Sequence, residues 1–147
     1  MDNAQPQKDV SQLNSFLRGE LSAVETYEQA LEKVDSPSAR SILERNHGSH
    51  AQRARTLREE IRKAGGEPAD SSGIWGTFAK AIEGGAKLFG SSAAVAALEE
   101  GEDHGLADYR RDLSELSPEH RAFVSRQLLP EQQKTHDSLA ALKKIMD

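Results

Sequence analysis

Two short stretches of the chain place acidic side chains where a helical pattern calls for apolar ones. Gly19-Glu20 and Gly101-Glu102 each precede a tyrosine by seven residues (Tyr27 and Tyr109), with Leu at +11, an aliphatic residue at +14 and a closing Ser-Pro. Between the two copies, "HGSH" sets His47 and His50 one helical turn apart. Glu99 stands just before the second copy, and Glu131 and His136 lie in "LLPEQQKTHDSLAALK" near the C-terminus. Carboxylates with imidazoles are ligands for divalent first-row metals. The chain has no cysteine, which excludes disulfides, thiolate metal sites and a cysteine nucleophile. Iron or manganese is therefore the first expectation for a resident metal, with zinc as the further choice.

The elements that must position these groups are helical. Leu13, Leu17, Val24, Tyr27, Leu31 and Val34 recur at the spacing of a bundle seam, and Glu20 falls between Leu17 and Val24. Ser36-Pro37 stops that helix and caps a second, which continues through Leu43, Ala54, Leu57 and Ile61 until Gly65-Gly66 and Pro68. Reading its seam as 43, 47, 50, 54, 57 turns both His47 and His50 inward. A third helix starts at Ser91 or Ser92 and carries Val95, Leu98, Tyr109, Leu113 and Leu116, with Glu102 inward and Glu99 on the adjoining face. Ser117-Pro118 opens a fourth helix, in which Pro130 should kink or loosen the backbone and in which the inward stripe passes near Glu131, Gln132 and His136.

Short turns make helices 1–2 and 3–4 antiparallel hairpins, whereas the 65–91 connection is far longer than a turn requires. That connection holds Trp75, Phe78, Ile82 and Phe89 at the spacing of a short helix of its own. The expected fold is all-α: a four-helix bundle of two hairpins with one long crossover, the ferritin-like arrangement. Residues 1–8 read as a polar tail and 9–147 as one domain.

Counting from the turns brings the polar groups to a common height. Glu20 and His50 each lie about 15 residues from the first turn, and Glu102 and Glu131 a similar distance from the second. Glu99 and His136 match one turn further away. No Lys or Arg falls on the inferred seams at that level, so buried Glu20 and Glu102 call for a cation from elsewhere. A metal ion is one answer. The other is a polar layer of carboxylate–imidazolium pairs that fixes helix register. Glu20, His50 and Glu102 are the leading metal-ligand candidates, followed by His47, Glu99, Glu131 and His136. Tyr27 and Tyr109 read as core aromatics with polar tips, Tyr27 level with Glu44. His104 and His120 read as surface residues, and Arg53, Arg55, Arg58 and Arg62 as a solvated helix face.

"FLRGELSAVETYEQAL" resembles the first helix of rubrerythrin-type ferritin-like proteins, in which the Glu of a Gly-Glu pair is a di-iron ligand. "HGSHAQRARTL" resembles their second metal-binding helix and "ALEEGEDHGLADY" their third. The whole pattern is similar to an uncharacterised bacterial family of small ferritin-like proteins. The resemblance implies a metal centre with oxygen, peroxide or iron chemistry, and an association with stress response. Against the superfamily's Glu-x-x-His, the resemblance places His50 at the histidine and His47 where Glu is expected, while Glu44-x-x-His47 fits literally with Glu44 beside the seam. The second copy is Gln133-x-x-His136, so the implied centre is mononuclear or an altered dinuclear one. Lacking a rubredoxin-like cysteine module, such a centre would need an external electron donor. The alternative is a non-catalytic stress or interaction module in which the Glu/His layer is structural.

Composition narrows the rest. The net charge of −5 gives no general reason to bind nucleic acid or an anionic membrane. "MDNAQPQKDV" has no apolar signal-peptide core, and the Ile74–Leu98 region is interrupted by Lys80, Glu83 and Lys87, so neither secretion nor membrane insertion is expected. The expected location is cytoplasmic. The apolar 75–89 stretch would form a homodimer surface if it were partly exposed.

Overall fold

A computed structural model describes residues 4–72 and 90–146. The short helix expected at Trp75–Phe89 falls outside these residues. All the described regular structure is helical: α1 Ala4–Leu31, α2 Pro37–Lys63, α3 Ser91–Asp112, α4 Pro118–Phe123 and α5 Leu129–Met146, with a 3-10 turn at Leu113–Glu115 and a π-turn at Val124–Leu128. Residues 118–146 act as one interrupted rod, so the bundle has four rods. No helix among the described residues is long and apolar enough to cross a membrane.

The ends of these helices follow from local chemistry. Ser36 caps α2 by accepting from the Ala39 amide, with Pro37 in the first turn. Arg40, just past the turn, donates to the carbonyls of Leu31 and Val34 and so satisfies the end of α1. α2 stops where Gly65 takes a φ of 82°, a conformation that favours glycine. α1 begins at Ala4, so residues 4–8 are helix and not the expected tail. Gln5 is held there by Asp9, to which it donates at 2.6 Å.

Two apolar clusters fill the interior. One gathers Tyr27, Ala30, Val34, Leu43, Val95, Leu98, Leu139 and Leu142. The other gathers Leu13, Leu17, Leu57, Ile61, Tyr109, Leu116, Val124 and Leu128. The first surrounds the α1–α2 turn and the second the α3–α4 turn, so the two hairpins are antiparallel to one another. α2 therefore finishes at one end of the bundle and α3 begins at the other. Each fully buried Leu or Ile contributes about 1.5–3 kcal/mol, which makes these clusters the main source of stability.

The fourth rod loosens where expected. Pro130 has no amide hydrogen to give to the preceding turn, and immediately upstream the backbone widens into the π-turn, where the Leu129 amide bonds to the Val124 carbonyl. The extra residue in that turn rotates everything after it. Gln132, Thr135, Leu139 and Leu142 consequently face inward.

Candidate functional site

Between the two apolar clusters lies a polar layer supplied by all four rods. α1 gives Glu20 and Tyr27, α2 gives Asn46, His50 and Arg53, α3 gives Glu102 and Tyr109, and α5 gives Gln132 and Thr135. Every one of these is buried; Glu20, His50 and Glu102 each retain only 3% exposure and Arg53 2%.

His50 is the centre of the layer. Its Nδ1 lies 2.7 Å from Glu20 Oε2 and its Nε2 2.7 Å from Glu102 Oε2. An ionised carboxylate can only accept, so each ring nitrogen carries a proton and His50 is an imidazolium. Burial alone would lower the His50 pKa, but Glu20 leads the opposing influences and the net direction is upward. Burial likewise raises both glutamates. Arg53 and His50 outweigh it at Glu20, and His50 with its hydrogen bond outweighs it at Glu102, so both carboxyls fall below their ordinary range.

Arg53 completes the layer. Its Nη1 reaches Glu20 Oε1 at 3.4 Å and also donates to Gln132 Oε1, while Nη2 donates to Thr135 Oγ1 at 3.1 Å. The formal charges are −1 for Glu20, −1 for Glu102, +1 for His50 and +1 for Arg53, which sum to zero. The glutamates' requirement for a cation is thus met from within the protein. This corrects two expectations: Arg53 is not on a solvated face, and a basic residue does stand at the level of the glutamates.

The two tyrosines cross between hairpins. Tyr27 of α1 donates to Glu102 of α3 at 2.5 Å, and Tyr109 of α3 donates to Glu20 of α1 at 2.8 Å. Burial, then the adjacent glutamate, pushes both phenols well above their usual range, so they remain protonated donors. The expected polar tips are present, but Tyr27 turns to Glu102 and not to Glu44. Asn46 donates to the Tyr27 hydroxyl at 3.2 Å and to Ser138 Oγ at 2.7 Å. Glu102 Oε1 accepts from Gln132 at 2.9 Å and Thr135 at 2.7 Å. The Gln132 amide approaches so closely that a Cβ on Gly105 would stand 2.8 Å from its Nε2, which accounts for glycine there.

Of the seven sequence-derived ligand candidates, Glu20, His50 and Glu102 converge as expected. The other four do not reach the layer. His47 is half-buried at the side of the bundle, 3.3 Å from Glu28. Glu99 pairs with Lys143 at 3.0 Å, and Glu131 with Lys134 at 3.2 Å. His136 lies 2.6 Å from Asp103 and 3.1 Å from Asp137 on the outer face of α5. His120, expected at the surface, is buried instead, with Nδ1 2.6 Å from Asp9 Oδ2.

The donor geometry does not fit a single metal ion. Ligand atoms must stand about 2.0–2.2 Å from a first-row metal such as zinc. Here the two carboxylates lie against opposite edges of the imidazole, each aligned with a different nitrogen, so no point is close to both glutamates and a ring nitrogen. Glu102 already accepts from His50, Tyr27, Gln132 and Thr135, which fills the roughly four acceptor positions of a carboxylate. No group of three or more His, Asp or Glu arranged to hold a metal occurs among the described residues.

A cavity of about 70 Å³ lies between α1 and α3 and reaches the layer. Phe16, Leu98 and the two tyrosines form its apolar wall, Glu20, His50 and Glu102 its polar floor, and Gly19 and Gly101 its open sides.

The chain belongs to a family described as a domain of unknown function, DUF2383, whose model matches residues 8–115. No curated protein and no solved structure matches it.

Proposed function

We propose that this chain is a ferritin-like four-helix module whose Glu/His layer is a self-neutralised ionic core, and that it serves as a non-catalytic structural or interaction module. The observation that carries the reading is His50 held between Glu20 and Glu102 through both ring nitrogens, with Arg53 balancing the second negative charge. The ferritin-like assignment is supported by two antiparallel hairpins whose joined ends, at Lys63 and Ser91, lie at opposite ends of the bundle.

An ionic layer of this kind adds little net stability, because desolvation of four charges offsets their attraction. It does specify structure. A rotation or one-turn slip of α1, α2 or α3 would leave a charge buried without its partner, at a cost of about 3–5 kcal/mol. The apolar clusters, which many registers could satisfy, supply the driving force; the layer selects one register.

A second reading, a carboxylate–histidine iron or manganese centre, is favoured by the cavity that reaches Glu20, His50 and Glu102. The two readings separate on metal content. Protein purified without chelator is analysed for bound elements, then titrated anaerobically with ferrous and manganous ions. The structural reading expects no stoichiometric binding. Binding of one or more ions per chain that disappears in Glu20→Gln would overturn it and establish the metal centre.

A further inference from the structure

On the face opposite the α1–α3 cavity, α2 and α5 leave a cleft of about 280 Å³. Arg45 and Ser49 of α2 line one side, and Glu131, Lys134 and Ser138 of α5 the other. The described part of the long connection lies elsewhere, along α1, where Asn14 donates to the Glu67 carbonyl and Ser72 to Glu25.

Ser49 carries the cleft's distinguishing feature. Its Oγ is the one buried side-chain polar atom among the described residues with no hydrogen-bond partner. A serine inside a helix ordinarily turns its hydroxyl to the carbonyl four residues back. Leaving a buried hydroxyl unpaired costs about 1–3 kcal/mol. Arg45, one turn earlier on the same face, is exposed and has no hydrogen-bond or ion-pair partner among the described residues. Across the cleft Lys134 pairs only with Glu131, at 3.2 Å and near the surface, an interaction weak enough to be re-aimed. Ser138 and the neighbouring Asn46 already satisfy one another at 2.7 Å and close the floor. The cleft therefore sets one unpartnered hydroxyl, which can donate, beside two cations and one carboxylate whose charges sum to +1.

We propose that this cleft binds a phosphate-type oxyanion, with Ser49 and Arg45 donating to its oxygens and Lys134 turning from Glu131 towards it. Charge-assisted hydrogen bonds from a guanidinium suit this ligand, and the cleft has room for the body of a phosphate monoester.

The test is an amide-resolved NMR titration of the full chain with sodium phosphate against sodium chloride at matched ionic strength, repeated with glycerol phosphate. Saturable shifts are expected at 45, 49 and 134 with phosphate and not with chloride. Tighter binding of the monoester than of inorganic phosphate would identify an ester as the source, and the reverse would identify free phosphate. Ser49→Ala should weaken binding about tenfold or more, since it removes a hydrogen bond to a charged group, and Ser49→Ala with Arg45→Gln should abolish it. Ser49→Ala should melt no lower than the parent in phosphate-free buffer, which shows that the fold is intact. The absence of saturable shifts in the parent, or equal shifts in the double variant, would overturn the proposal. So would equal thermal stabilisation of parent and double variant by phosphate, the signature of preferential exclusion without a site.

Discussion

The mid-bundle layer and the Asp9–His120 pair at one end use the same partners, a carboxylate on α1 and an imidazole on a returning helix. Their surroundings differ. In the middle, His50 grips two carboxylates, Arg53 supplies the fourth charge, and all four side chains are buried. At the end, Asp9 also receives the Ser117 amide at 3.0 Å and the Ser117 and Gln5 side chains. His120 has its second nitrogen only loosely directed at Glu60, 3.8 Å away, and its side chain is 11% exposed. The end pair ties the start of α1 to the α3–α4 turn, and Asp9 spreads its charge over four donors, so no single one of them is indispensable. In the middle layer each charge answers another charge, so its members stand or fall together. Identical chemistry thus serves as a tether in one place and a register lock in the other.

The sharpest way to break this contrast is to remove one charge from the layer. Arg53→Met leaves the layer at −1 with Glu20 short of a partner, and should destabilise by roughly 3–5 kcal/mol in urea unfolding. Adding Glu20→Gln restores neutrality and should recover a large part of that loss; a double variant no more stable than Arg53→Met would show that the charges are not coupled.

The pH dependence separates the regions next. The lowered pKa values of Glu20 and Glu102 give stability that is present above pH 4.5 and lost as pH falls through their folded values. The raised pKa of His50 gives stability that is full below pH 6.5 and lost as pH rises through its folded value. Denaturation midpoints should therefore peak between pH 4.5 and 6.5, and His50→Gln should flatten the alkaline side. Asp9, whose carboxyl is raised by burial but lowered further by His120 and Ser117, contributes an acid limb.

Smaller effects follow at the end of the bundle and among the tyrosines. Asp9→Asn should cost about 1–2 kcal/mol, the range for losing a charged acceptor at a helix entry, measured by thermal unfolding at pH 6. Tyr27→Phe and Tyr109→Phe should each cost about 1 kcal/mol. Tyr27→Phe should be the costlier of the two, because its hydroxyl also accepts from Asn46 at 3.2 Å; equal losses would show that this second bond contributes nothing.

Helical periodicity and counting from the turns made Glu20, His50 and Glu102 legible, because face and height are set by regular geometry. The phase of α2 was not legible. From Leu43 a step of four leads to His47 and a step of three to Asn46, and both continue to His50. The buried series is Leu43, Asn46, His50, Arg53, Leu57 and Ile61, which turns His47 out and Arg53 in. Arginine type alone suggests a surface position. The signal that could have found Arg53 was electrostatic: two buried glutamates and one imidazolium need one more positive charge, and Arg53 is one turn from His50. On the fourth rod, Pro130 announced a distortion but not its size. One residue of π-turn decides between Gln132 and the neighbouring Glu131, as it does between Thr135 and His136. His120 was missed because its partner, Asp9, was assigned near a tail that proved to be helix.

The crossed tyrosines also bear on how the chain folds. Each hairpin lacks the phenol that completes its own glutamate and holds the one that completes the other's. A hairpin formed alone would either leave its glutamate in water and its apolar face unpacked, or bury the glutamate short of a donor. Neither is a stable stopping point. Folding should therefore be a single cooperative transition, and the slowest amide exchange in all four rods should report the same global opening free energy.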